Sequence, residues 1–137
     1  MAVAVAAVFV WLGMVLAISF IETPLKFRAP GVTLQIGLGI GRLVFRALNA
    51  CELALAAVVV ACFVITPPTT VIAVAVAVAV ITLLAQVLAV RPRLTRRSDA
   101  VLAGGEGPRS HAHWAYVGLE IVKVIALLIA GVSMLAA

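Results

Sequence analysis

Charge is what this sequence has least of: Asp, Glu, Lys and Arg make up 11% of its 137 residues, against about 25% in an ordinary globular domain. The hydrophobic share is 66%, where about 45–50% is usual, and the mean hydropathy is +1.30. So little charge cannot cover a water-facing surface, which argues against a soluble enzyme and against a nucleic-acid partner. Cysteine is scarce too. Cys51 and Cys62 lie in one apolar run, about 16 Å apart along a helix. That exceeds disulfide reach, so a disulfide scaffold is excluded and both thiols read as packing residues. No Glu-x-x-His pair occurs, and a ferritin-like di-iron bundle would need two. No Lys or Arg precedes the first apolar run, whereas a secretory signal carries a basic leader and a short apolar core. That run therefore reads as a retained span.

What the sequence does have is apolar length. Four segments stand out, about 2–21, 43–66, 71–90 and 112–137. About 20 helical residues cross a hydrocarbon layer of ~30 Å, so each is long enough to span a bilayer. Pro67-Pro68 ends the second, because proline cannot continue a helix. The third contains the alternating tract Ala73–Val80, strand-like by period, but its uninterrupted apolar length argues for a helix. The expected fold is all-α, a single integral-membrane four-helix bundle over 1–137, with loops at 22–42 and 91–111. Nine of the ten basic residues fall in or beside those two loops. The positive-inside rule makes them cytoplasmic and puts both termini outside, as expected for a bacterial inner-membrane protein. Trp114 and Tyr116 stand where the fourth span enters the interface, as an aromatic belt would place them. Gly31–Gly41 extends the second helix or forms a short re-entrant or interfacial piece, and Gly37-x-x-x-Gly41 suits close helix packing.

Ionisable groups within spans each cost roughly 2.5–3.5 kcal/mol on insertion scales, so they need partners or a wet cavity. Glu22 closes the first span; Arg46, Asn49 and Glu52 follow Arg42 in the second; Gln86 lies in the third; Glu120 and Lys123 lie in the fourth. Steps of three and four place Arg42, Arg46, Asn49 and Glu52 along one helix face, and Glu120 with Lys123 on another. Spans two and four run in the same direction. Glu52 and Glu120 then sit at the same depth, about 13–15 Å from the basic end. The charges of Arg46, Glu52, Glu120 and Lys123 sum to zero, as a low-dielectric interior favours. Two readings stand open: bundle glue that fixes register, or an ion, proton or solute site facing the cytoplasm, with Glu22 near its mouth. His111 and His113 are weak metal candidates, since two-residue spacing points their rings to different helix faces, unlike zinc-binding pairs four apart. No cofactor is indicated.

Two family resemblances accompany this reading. Trp11-Leu-Gly13, Ser19-Phe20-Ile21 with Pro24 and Phe27, Ile40-Gly41 with Phe45, Asn49, Glu52-Leu53 and the linker Arg91-Pro92-Arg93 resemble the small four-span membrane family that includes human transmembrane protein 205. That resemblance implies a four-helix membrane protein with a role in transport or stress tolerance, and it supplies no catalytic residues. Arg46-Ala47-x-Asn49-x-x-Glu52 is similar to the second helix of the membrane-associated eicosanoid and glutathione metabolism family, which implies a glutathione-dependent membrane enzyme. That family's proline after the Glu has no counterpart in Leu53–Val64, and Tyr116 is the one tyrosine. The expected function is therefore a transporter-like protein with a polar site between helices two and four. The alternatives are an accessory subunit of a membrane complex and, third, the glutathione enzyme. Expected partners are the lipid bilayer and a second copy or a partner subunit.

Overall fold

The computed structural model describes residues 1–104 and 111–137, the side chain of His111 excepted. Among these residues the chain is helical, without a strand. Four helices, α1 Ala2–Lys26, α2 Leu34–Ile65, α3 Thr70–Leu102 and α4 Ala112–Ala136, are each long and apolar enough to cross a membrane. The Ala73–Val80 tract is helical within α3. α1 packs on α2 and on α4, and α4 packs on α3. α2 and α3 meet mainly through the last turns of α3, Arg91–Leu102, where Gln35 Nε2 donates to the Val101 carbonyl at 3.5 Å.

The helices outrun the apolar segments that signal them. At 1.5 Å per residue α2 is about 48 Å long, so it projects beyond a ~30 Å hydrocarbon layer. Its start is set by Thr33, whose Oγ1 accepts from the Ile36 amide at 3.2 Å, satisfying one of the free amide donors of a helix start. The segment 34–41 is thereby an extension of α2. Much of the expected loop 22–42, and most of 91–104, is also helical. Polar residues leave helices free to continue into the headgroup layer. Gly31 and Gly104 have φ of 81° and 93°. Gly104 ends α3 in the left-handed conformation that glycine adopts at lowest cost, its amide donating to the Val101 carbonyl at 3.0 Å.

Two stretches are wound as π-helix, Leu16–Glu22 in α1 and Gln86–Val90 in α3. Each ends two residues before a proline, Pro24 and Pro92. A proline inside a helix offers no amide to the carbonyl four residues back and its ring crowds that carbonyl. The carbonyls affected belong to Phe20 and Leu88, inside the two wide stretches, and the wider winding relieves the crowding. Thr23 Oγ1 also donates to the Ile18 carbonyl at 2.9 Å, supplying a side-chain donor where the ladder is interrupted.

The dry core is built from Val8, Trp11, Val59, Leu83 and Leu127, with alanines between them. Small residues set the spacing where helices approach. Gly131 lets the Phe9 ring in; a Cβ there would stand 2.7 Å from its Cζ. The Phe27 ring occupies the place a Cβ would take on Gly37, and Lys26 Nζ lies 3.2 Å from that place on Gly41. The Gly37-x-x-x-Gly41 pair thus receives two side chains of its own chain, Lys26 at the end of α1 and Phe27 just beyond it. Large apolar side chains such as Leu43, Val64, Ile81 and Leu128 face outward, as lipid-facing positions do.

Candidate functional site

All four helices contribute to a polar cluster in the interior. Lys123 of α4 is its centre, with no exposed surface. Its ammonium lies 2.5 Å from Glu52 Oε2 of α2, 2.6 Å from Glu120 Oε1 of α4 and 2.7 Å from Gln86 Oε1 of α3. An ammonium has three N–H donors, and three oxygens from three helices receive them.

The carboxylates are held from the other side as well. Trp11 Nε1 of α1 donates to Glu52 Oε2 at 2.8 Å, and Asn49 Nδ2 donates to Glu52 Oε1 at 3.1 Å. Ser19 Oγ, on the π-wound stretch of α1, donates to Glu120 Oε2 at 2.7 Å. Gln86 Nε2, at the start of the π-wound stretch of α3, reaches Glu120 Oε1 at 3.4 Å and the Tyr116 carbonyl at 3.3 Å. Both wide turns therefore deliver a polar side chain to the same carboxylate.

A second cation closes the cluster toward the basic end. Arg91 donates from an Nη to Asn49 Oδ1 at 3.1 Å. Its guanidinium lies 4.7 Å from the Tyr116 ring centroid and 5.1 Å from that of Phe45, within cation–π range. The two rings meet edge to face at 5.8 Å, and Asn49 Nδ2 also lies 3.5 Å from the Tyr116 hydroxyl. Glu52, Glu120, Lys123 and Arg91 together carry no net charge. Arg91 Nε is buried and has no hydrogen-bond partner among the described residues.

Five of the eight polar residues singled out in the sequence, Asn49, Glu52, Gln86, Glu120 and Lys123, come together here. Arg46 does not: it is exposed and has no hydrogen bond or ion pair among the described residues. Two successive steps of three turn a helix by about −60° each at 3.6 residues per turn, so Arg46 stands about 120° from Glu52. The compensating arginine is Arg91, and the Arg46–Asn49–Glu52 pattern does not converge on one side of α2. Glu22 also stays out of the cluster and pairs with Lys26, whose Nζ lies 3.7 Å from Glu22 Oε2. Tyr116 departs from the belt expectation. It is buried against Asn49 and Arg91, whereas Trp114 is 59% exposed; two residues along a helix turn the side chain by about 200°.

Trp11, Ser19 and Arg91 are the participants that the polar pattern missed. An indole N–H in an otherwise apolar span was the available signal, because a buried indole generally finds an acceptor. Of the weak metal candidates, the His113 ring rests edge-on to Trp114 at 5.2 Å. The side chain of His111, like Arg109 and Ser110, lies outside the described residues. Among the described residues no group of three or more His, Cys, Asp or Glu could hold a metal ion, and Cys51 and Cys62 are free. Comparison with protein-family models, with curated proteins and with solved structures gives no match.

Proposed function

We propose that this protein is a small membrane transport unit for a proton or a small cation, and that the oxygen cage around Lys123 is its site. One observation carries the reading: three side-chain oxygens, two of them carboxylate, surround Nζ at 2.5–2.7 Å. That is a monovalent-cation ligand set, and it is occupied by an ammonium tethered to the chain. Intramembrane carboxylates carry ion and proton pathways in membrane proteins generally. A proton arriving on Glu52 or Glu120 removes one of the two charges that hold Lys123. An entering cation competes with the ammonium directly. Arg91 compensates charge, and Asn49 fixes the Glu52 carboxylate by hydrogen bond.

In this reading the basic end of the bundle faces the cytoplasm and both termini face outward. Lys123 then lies about 20 Å from the outer end of α4, closer to the cytoplasmic boundary. A homodimer or larger assembly is the expected unit, since four helices leave little room for an enclosed path. The test is purified protein in liposomes, assayed for dissipation of pH and monovalent-cation gradients. Wild type dissipates one of them, Glu52→Gln and Glu120→Gln do not, and Arg93→Gln, at an exposed arginine, behaves as wild type. A wild-type protein inert to every gradient refutes the proposal.

A second reading is favoured by one specific observation: all three Lys123 donors are satisfied and Lys123, Glu52 and Gln86 have no exposed surface. The cluster is then a register lock in an accessory subunit. Under it, the glutamine variants lose stability and there is no flux to lose.

A further inference from the structure

Arg46, left out of the buried cluster, lies beside a second polar feature. Gly39, Arg42, Leu43 and Arg46 of α2 and Leu102 at the end of α3 line a recess of about 270 Å³. Arg42 pairs with Asp99 of α3 at 2.8 Å between an Nη and Oδ1; Arg46 pairs with nothing described. Gly39 has no side chain to fill the recess, and nothing lies within 4 Å of where its Cβ would stand.

Depth identifies the surroundings. About 20 residues of α2, counted back from Ile65, cross a ~30 Å hydrocarbon layer, which brings the boundary to Arg46. Arg42 stands one turn further out, about 6 Å along the axis, at the level of the headgroups. Leu53, seven residues further in on the same helix face as Arg46, is 40% exposed and lies at acyl depth. A cationic recess at headgroup depth, with an apolar neighbour at acyl depth, has the two-part chemistry of an anionic lipid.

We infer that this recess binds the phosphate of an anionic phospholipid headgroup, with Arg46 as its principal ligand and Arg42 as its second. A guanidinium suits a phosphate because its fork of donors meets two oxygens at once. Asp99 occupies part of Arg42 as a tethered competitor, so the carboxylate and the lipid phosphate contend for the same donors. Basic recesses between membrane helices on the cytoplasmic side bind acidic headgroups in this manner. The inference is independent of what the Lys123 cage does.

The experiment is native mass spectrometry of the full chain released from detergent, titrated with phosphatidylglycerol and with phosphatidylcholine. Expected is a one-to-one adduct with phosphatidylglycerol that phosphatidylcholine does not match. Each arginine near the surface contributes a factor of about five in affinity. Arg46→Gln should therefore weaken the adduct about fivefold, Asp99→Asn should strengthen it severalfold by freeing Arg42, and Arg93→Gln should leave it unchanged. Equal weakening by Arg46→Gln and Arg93→Gln overturns the inference, since the attraction would then be a diffuse field. So does full competition by inorganic phosphate at concentrations comparable to the lipid, which would make the recess a site for the free anion.

Discussion

The charge balance of the buried cluster is best tested by taking away its centre. Lys123→Met keeps the length and apolar stem of the side chain and removes the ammonium. At 2.5 and 2.6 Å, each contact with Glu52 and Glu120 represents about 6 kcal/mol of Coulomb attraction at an effective dielectric near 20. Most of that offsets the cost of keeping the charges from water. The net loss on removing one partner of a buried ion cluster is about 3–5 kcal/mol, because the remaining charges are left uncompensated. Lys123→Met leaves Glu52 and Glu120 facing one cation, Arg91. Adding Glu120→Gln restores a zero sum, and the new amide still accepts from Ser19 and can pair with Gln86. The double variant is therefore expected to be more stable than Lys123→Met alone, by about 2 kcal/mol. The assay is a double-mutant cycle on reversible unfolding of the solubilised protein in a denaturing detergent, with helix content as readout. A cycle in which the two losses simply add would refute the reasoning, since coupled neighbours show interaction energies of about 0.5–3 kcal/mol.

Other positions separate the remaining parts of the argument. Trp11→Phe keeps the ring's bulk but removes the donor to Glu52; a loss of about 1.5 kcal/mol in the same unfolding assay is expected, the upper range for hydrogen bonds between membrane helices. Gly131→Ala forces the Phe9 ring from its place between α1 and α4 and should cost about 1–3 kcal/mol as overpacking. Gly37→Ala first meets the Phe27 ring, which is 39% exposed and free to move aside. Its effect should stay within about 0.5 kcal/mol, a contrast readable in thermal midpoints. Arg91→Gln keeps a donor for Asn49 while deleting the charge, so it should destabilise by more than Arg46→Gln, which touches nothing buried; equal effects would return Arg46 to the cluster.

The apolar runs made the four helices legible because bilayer-length hydrophobic stretches have few other physical solutions. Helix ends were less so: Leu34–Gly41 and Arg91–Leu102 are polar or glycine-bearing, and only the Thr33 cap and Gly104 mark their limits. Asn49, Glu52, Glu120 and Lys123 were legible as a group because an ion inside a span requires company. The identity of the fourth charge was not. Arg46 is near Glu52 in sequence, but the helix rotates it away; Arg91 is 39 positions from Glu52 and arrives through the packing of α3. Sequence distance carries no information on that pairing. Tyr116 departs from the belt for a related reason: its depth along the helix matches an interfacial belt, while azimuth decides its surroundings.

Azimuth is also where the prolines enter. A regular α-helix advances 100° per residue, whereas a π-helical turn holds more residues, so a stretch of it rotates every side chain beyond it relative to those before. In α1 the wide stretch lies between Trp11, which serves Glu52, and Lys26, which lies against Gly41 of α2. In α3 it lies between Leu83 of the dry core and Arg91 of the cluster. Ser19 and Gln86 sit within or at the edge of these stretches and bind the same residue, Glu120. Pro24 and Pro92 disturb the ladder just beyond, at a cost of about 3 kcal/mol for a proline in a helix interior, and the wide turns absorb the clash. On this argument Pro92→Ala should let α3 revert to regular winding and turn Arg91 relative to Gln86. The cation–π stack on Tyr116 would then be lost even though neither ring nor guanidinium is altered. Near-ultraviolet circular dichroism of the single tyrosine and its neighbours reads that change, and an unchanged spectrum with unchanged stability would show that the winding does not depend on the proline.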